Sequence, residues 1–203
     1  MGRKLNQFKK RLRWTRHAWF DSYIFVHINK TAGSSIEKAL NIPLEHKTAQ
    51  EKIREIGRER WDKKWTFTFV RNPWDRVVSH YHHRVKTNQT GLGDKHIDFI
   101  EWVKRAYGSR DVTYYDKPKM FMPQTNWITD KEGKVVVDDI MRFENLENDF
   151  HKMLKKLGKS GTLPHVRKSD RGNFRQYYDP ETIEIVRNWF ERDIEMFGYQ
   201  FEE

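Results

Sequence analysis

The chain has 203 residues, with 39 Lys and Arg against 29 Asp and Glu, giving a formal net charge of +10. That length suits one domain with a real core, and an aromatic share of 14% argues against disorder. The absence of cysteine excludes disulfides, thiolate catalysis and Cys-based zinc sites, while the positive excess attracts anions without choosing among nucleic acid, acidic glycans, phosphate-rich cofactors and membrane surfaces.

Residues 1–20 form a basic extension. GRKLNQFKKRLRWTR carries Lys and Arg with no acid to offset them. It reads as a solvated, partly ordered tail, with a docking arm for an acidic partner as the alternative. It has no apolar h-region, so it is not a secretory signal. No stretch approaches the roughly 20 apolar residues of a membrane span. The expectation is a cytoplasmic protein.

Residues 21–203 are expected to form a single domain. YIFVHI (23–28) reads as a buried strand leading into a Gly-containing loop. SSIEKALNI follows as a short helix that Pro43 ends. Thr48 and Glu51 form a capping-box pattern at the start of a surface helix over 48–61. WTFTFV (65–70), rich in β-branched and aromatic residues, is the second strand. RNPWDRVVSHYHHRVK (71–86) is a turn and then a helix, with Pro73 near its first turn and Asp75 near the positive end of its dipole.

Further along, HIDFIEWVKRAYG (96–108) has the periodicity of an amphipathic helix stopped by Gly108. Residues 134–144 read as a strand, 145–158 as a helix ended by Gly158, and the final helix opens with Asp179 as its cap and Pro180 at its first position. Strands alternating with helices predict a three-layer, P-loop-like α/β fold with a mostly parallel central sheet. In such sheets ligands bind beyond the carboxyl ends of the strands. The loops after the first two strands are therefore expected to face one crevice.

The first of those loops is HINKTAGSS. Ala32, Gly33 and the serines are small enough to let backbone amides approach an anion, and the following helix adds its positive end. Thr31, Ser34 and Ser35 offer hydroxyls, and Lys30 supplies a full charge. Taken alone, the loop is equally an ordinary strand-to-helix turn with a surface lysine. The second loop places Arg71 directly after a strand and Ser79 eight residues on, about two helical turns later. Arg71 can present a planar fork to a phosphate; the alternative is a structural ion pair with Asp75, with Trp74 in the core.

FVHINKTAGSSIEKAL followed by FTFVRNPWDRVVSHYHHR resembles the two cofactor signatures of the PAPS-dependent sulfotransferases (PAPS is 3′-phosphoadenosine 5′-phosphosulfate). The branch it looks like contains the carbohydrate and heparan 2-O-sulfotransferases (sulfotransferase family 2) with their short bacterial or viral relatives, and the resemblance continues through MRFENLENDF to DIEMFGYQF. It implies transfer of a sulfuryl group from PAPS to an acceptor hydroxyl on a glycan or other carbohydrate, with PAP as product and no metal. Lys30 would sit near the bridging oxygen, Thr31, Ala32, Gly33, Ser34 and Ser35 would hold the 5′-phosphate, and Arg71 with Ser79 the 3′-phosphate. Arg167, Lys168 and Ser169 resemble the late loop that closes over the nucleotide, and a solvated basic loop is their plainer reading.

Such a transfer also wants a base, for which histidine is the economical choice near neutral pH. His46 lies between the two loops, where the 2-O-sulfotransferase branch carries a catalytic His. Its plainer reading is a surface histidine beside the next helix. Of the other histidines, His27 reads as a satisfied core residue. His80 and His83 share a helix face while His82 points elsewhere, which speaks against a metal site there. Gln124 and its aromatic neighbours are expected to border the acceptor. Two rival functions remain on the sequence: a P-loop kinase or NTPase, against which the second strand ends in Arg71 rather than a Mg²⁺-holding Asp, and a non-catalytic binder of acidic glycan or nucleic acid, which leaves the ordered pair of anion loops unexplained.

Overall fold

The computed structural model describes residues 12–94, 97–163 and 172–202. Its main elements in chain order begin with α1 over residues 12–20. There follow β1 (Tyr23–Val26), α2 (Gly33–Ala39), α3 (Ala49–Ile56), α4 (Arg58–Asp62), β2 (Trp65–Val70) and α5 (Pro73–Lys86). Then come α6 (Phe99–Val103), β3 (Asp139–Arg142), α7 (Leu146–Lys156), α8 (Pro180–Trp189) and α9 (Glu191–Phe197). Two compact units are distinguished: Met1–Val70 with Asn126–Arg167, and Arg71–Thr125 with Lys168–Glu203.

The first unit holds a parallel sheet in the order β1-β2-β3, as a mixed α/β fold with crossover helices requires. Val26 pairs with Thr68 and Val70 with Arg142, so the carboxyl ends of all three strands lie at one edge. Side chains alternate across the sheet. Tyr23, Phe25, Phe67 and Phe69 share a core with Ile36 of α2, with Leu40 just after it, and with Phe150, Met153 and Leu154 of α7. Burying each of these large side chains contributes about 1.5–3 kcal/mol. Thr68, buried within β2, donates its hydroxyl to the Val26 carbonyl at 2.8 Å, so its polar atom is satisfied.

Three sequence expectations are shortened by identifiable causes. The strand foreseen over 134–144 joins the sheet only at Asp139–Arg142, because Val135 instead forms an isolated antiparallel bridge with Thr129 across the DKEGK turn. The helix over 48–61 divides at Gly57, whose φ of 85° lies outside the helical region. Its capping box is formed as expected: Glu51 N donates to Thr48 Oγ1 at 3.1 Å and Thr48 N to Glu51 Oε2 at 2.7 Å. The last helix divides at Phe190.

The second unit is helical around its own core. Trp74, Val77 and Val78 of α5 pack with Trp102 and Val103 of α6, with Tyr107 and Phe121, and with Val186 and Phe190. Asn72 caps α5, accepting from Trp74 N at 3.1 Å, and Pro73 occupies the first turn, where its missing donor costs nothing. Asp179 caps α8 in a box with Thr182.

Candidate active site

In the first unit, the chain leaves β1 through a loop in which Lys30 and Ala32 both take positive φ, 69° and 67°. Non-glycine residues enter this left-handed region at a cost, and such strain gathers at functional loops. The loop is held by the buried Thr31, whose hydroxyl donates to Ile28 O at 2.8 Å. That side chain therefore serves the turn. Ser35 N and Ile36 N return to Ala32 O, at 2.9 and 3.3 Å. By helix geometry the amides of Gly33 and Ser34 point out of the start of α2. The left-handed Ala32 followed by right-handed helix gives the concave run of amides that suits an anion. Lys30 and Ser35 are half-buried there and Ser34 is exposed.

Behind this loop lies a buried group of titratable side chains. His27 follows β1, and its Nδ1 is 2.9 Å from Glu37 Oε2 on α2, close but not aligned as a regular hydrogen bond. Glu37 Oε1 accepts from the backbone N–H of Glu45 at 2.9 Å. Glu45 in turn faces Lys47 Nζ at 3.2 Å and the buried Lys52 Nζ at 3.7 Å. His46 lies against His27, with ring centroids 4.2 Å apart, and its Nδ1 is 3.5 Å from the His27 carbonyl. Burial sets the charge states. It pushes the Glu37 carboxyl up to about 8 and the His27 imidazole down to about 3, the latter helped by the positive charges of Lys52 and Lys30. Lys52 is lowered to about 8, again chiefly by desolvation.

In the second unit, Arg71 is the residue covalently next after β2. Its guanidinium is buried, and Nε and Nη2 both bond Asp75 Oδ2, at 2.8 and 2.7 Å. Asp75 thus holds one edge of the planar fork, leaving its orientation fixed. The backbone of Arg71 is fixed too: its N–H donates to Gln124 Oε1 at 2.9 Å and its carbonyl accepts from Gln124 Nε2 at 2.8 Å. Gln124 and Thr125 backbone amides both end on the carboxylate of Asp193, at 2.7 and 2.8 Å. Ser79 stands one helical turn beyond Asp75 on α5 and is half-buried.

A model of the sulfotransferase family matches residues 20–200, nearly the whole chain. The chain belongs to the sulfotransferase family. Sulfuryl transfer is therefore its general chemistry, and an acceptor hydroxyl is implied. An uncharacterized protein of Archaeoglobus fulgidus is 32% identical over 103 residues, covering 51% of this chain and 75% of the relative. No solved structure gives a significant match.

Within this sulfotransferase, the first unit brings together Lys30 to Ser35 and, behind them, His27, Glu37 and His46. The second holds Arg71, Asp75 and Ser79 around α5. Arg167, Lys168 and Ser169 lie outside the described residues. Gln124 is fully buried and its amide is spent on the Arg71 backbone, so it supports that residue and does not border an acceptor. His80 is a core residue packed on Trp102 and Phe121, while His82 Nε2 meets Tyr177 Oη at 3.0 Å and His83 is exposed. Among the described residues no three His, Cys, Asp or Glu are grouped to hold a metal ion.

Glu37 and Lys52 were missed by motif reasoning. A signal existed: Glu37 falls at helical spacing with the buried Gly33, Ile36 and Leu40, and Lys52 with Ala49 and Ile56. A charge on the apolar face of a helix marks an interior electrostatic site.

Proposed function

We propose that this chain transfers the sulfuryl group of PAPS to a hydroxyl of a carbohydrate acceptor, by in-line displacement with His46 as general base. The observation that carries this reading is the sulfotransferase-family match over residues 20–200, which contains both anion loops in order. Each donor set suits a phosphate group: a lysine beside backbone amides in one loop, a buried guanidinium in the other. When bound, PAPS supplies the activated sulfuryl group and a bisphosphate leaving group.

Lys30 would supply positive charge to the bridging oxygen of the bound donor, stabilising the bisphosphate as leaving group. The backbone from Thr31 to Ser35, with the serine hydroxyls, binds the 5′-phosphate. Arg71 and Ser79 would bind the 3′-phosphate, and Arg167, Lys168 and Ser169, which lie outside the described residues, would add basic and hydroxyl contacts to the nucleotide as the family resemblance implies. His46 takes the acceptor proton. With Nδ1–H directed at the His27 carbonyl, 3.5 Å away, Nε2 is the nitrogen that would act as the base. No residue role here requires a metal. The half-buried setting of His46 and the net charge of +10 both suit an anionic glycan as acceptor, and the absence of cysteine suits a cytoplasmic enzyme.

Calorimetry with PAP and with ATP tests the cofactor. Tight binding of PAP in preference to ATP is expected; preference for ATP would instead support a kinase or NTPase. A screen of sugar and non-sugar acceptors with labelled PAPS tests the transfer, and label confined to non-sugar acceptors would overturn the carbohydrate assignment.

A further inference from the structure

Two ionisable side chains stand on faces that their helices bury, Glu37 on α2 and Lys52 on α3, each 3% exposed. A buried charge or carboxyl is costly unless it is partnered. Lys52 lies 4.1 Å from the centre of the Trp14 ring and 3.7 Å from Glu45 Oε2. Glu37 makes contacts of a different kind. One oxygen accepts from the backbone of Glu45, the residue immediately before His46. The other lies 2.9 Å from His27, whose ring touches His46 and whose carbonyl faces His46 Nδ1. Both routes from this carboxyl converge on His46.

The opposite side of the His27 ring is fixed as well. A Cβ on residue 33 would stand 1.9 Å from His27 Cδ2 and 2.2 Å from Nε2, so the ring occupies the space that only a glycine leaves at the start of α2. Glu37 stands one turn further along the same helix. The loop that carries Lys30 and the segment that carries His46 are thereby joined through a single buried carboxyl.

We propose that Glu37 is a positioning residue for His46: it holds residue 45 by its backbone and packs against the His27 ring, and so fixes the His46 imidazole in the tautomer that has its proton on Nδ1. The functional importance of this arrangement rests on the reading of His46 as general base, but the arrangement itself does not. At neutral pH burial keeps Glu37 protonated and His27 neutral, so the pair meets without opposite charges to separate. The other charged groups facing Glu37 are Lys52, His46 and Glu45. Glutamine has the shape of the protonated acid and keeps the acceptor for Glu45 N–H.

The test is heteronuclear NMR of the full chain, reading the ring nitrogens of His46 with and without PAP, in the parent, Glu37→Gln and Glu37→Ala. The parent and Glu37→Gln are expected to show the proton on Nδ1, and Glu37→Ala to shift toward the Nε2-protonated form that a free imidazole prefers. PAP affinity is expected to stay within about threefold in Glu37→Gln. If Glu37→Ala does not fold, Glu37→Leu fills the space without an acceptor and is expected to show the same shift. An unchanged His46 tautomer in Glu37→Ala or Glu37→Leu overturns the proposal, and so does a shift in Glu37→Gln as large as in Glu37→Ala. A separate measurement decides the base: full turnover in His46→Ala removes His46 from the chemistry whatever the NMR shows. Normal turnover in Glu37→Ala with an inactive His46→Ala leaves the base in place and removes Glu37.

Discussion

The His27 imidazole fills the space in front of Gly33: a Cβ there would fall 1.9 Å from the ring. The ring belongs to the segment after β1, and the glycine opens the helix that follows the lysine loop. Gly33→Ala must therefore displace a buried ring that also contacts Glu37 and His46. Overpacking of this kind costs about 1–3 kcal/mol. A lowered denaturant midpoint, with weaker PAP binding, is expected. Gly57→Ala is the control: its φ of 85° is strained for alanine but nothing lies within 4 Å of the added Cβ. Its loss of about 1 kcal/mol should leave PAP affinity unchanged.

Lys30, His46 and Arg71 should separate by kinetics. Lys30→Ala removes charge stabilisation at the leaving group and is expected to lower single-turnover transfer on the order of 10²-fold or more. His46→Ala should lose about 10²- to 10⁴-fold, with PAP affinity retained. Arg71→Ala should instead weaken PAP binding by about 10- to 100-fold, the worth of a charge-assisted contact. Equal PAP affinity in Arg71→Ala and the parent would remove that residue from the nucleotide site.

Stability should depend on pH through Glu37. Its folded value of about 8 lies above its ordinary 4.5, so between these the folded chain holds a proton that the unfolded chain has released. The stabilisation is full below 4.5 and is lost as pH rises through about 8. Lys52, His46, Glu45 and His27 are the groups that share its surroundings. Glu37→Gln does not titrate, so its melting temperature relative to the parent should rise between about pH 5 and about pH 9. His27 works in the opposite sense: its contribution is present above 6.5 and is lost as pH falls through about 3. A difference between the two proteins that is flat with pH would contradict the buried, protonated state of Glu37.

Asp193 anchors the second unit. It is fully buried, burial raises its carboxyl, and it accepts the backbone amides of Gln124 and Thr125. Asp193→Ala orphans both donors, at about 1–3 kcal/mol each. Because Gln124 holds the Arg71 backbone, PAP affinity should fall together with stability. Urea denaturation and PAP calorimetry on the same variant check the pairing of these effects.

The strands and helices were legible wherever local rules act alone. Thr48 with Glu51 and Asp179 with Pro180 gave helix starts that the structure bears out. Gly57 and Phe190, which divide longer helices, lie inside patterns whose periodicity continues across them, so pattern alone overran them. The lysine loop and Arg71 were found as motifs. Their supports were not, since Gln124 and Asp193 lie 53 and 69 residues apart along the chain from the groups they bond.

The sequence by itself determined the parallel α/β arrangement, the positions of the lysine loop and of Arg71 after their strands, and membership of the sulfotransferase family, because these follow from short patterns of charge, size and periodicity. Only the tertiary structure decided that Thr31 spends its hydroxyl on the turn, that Gln124 is a buried support, and that Glu37 stands between the lysine loop and His46. Those outcomes depend on burial and on which distant backbone groups need a partner. Neither is a property of any short stretch of residues; both arise when the strands align and the helices close over them.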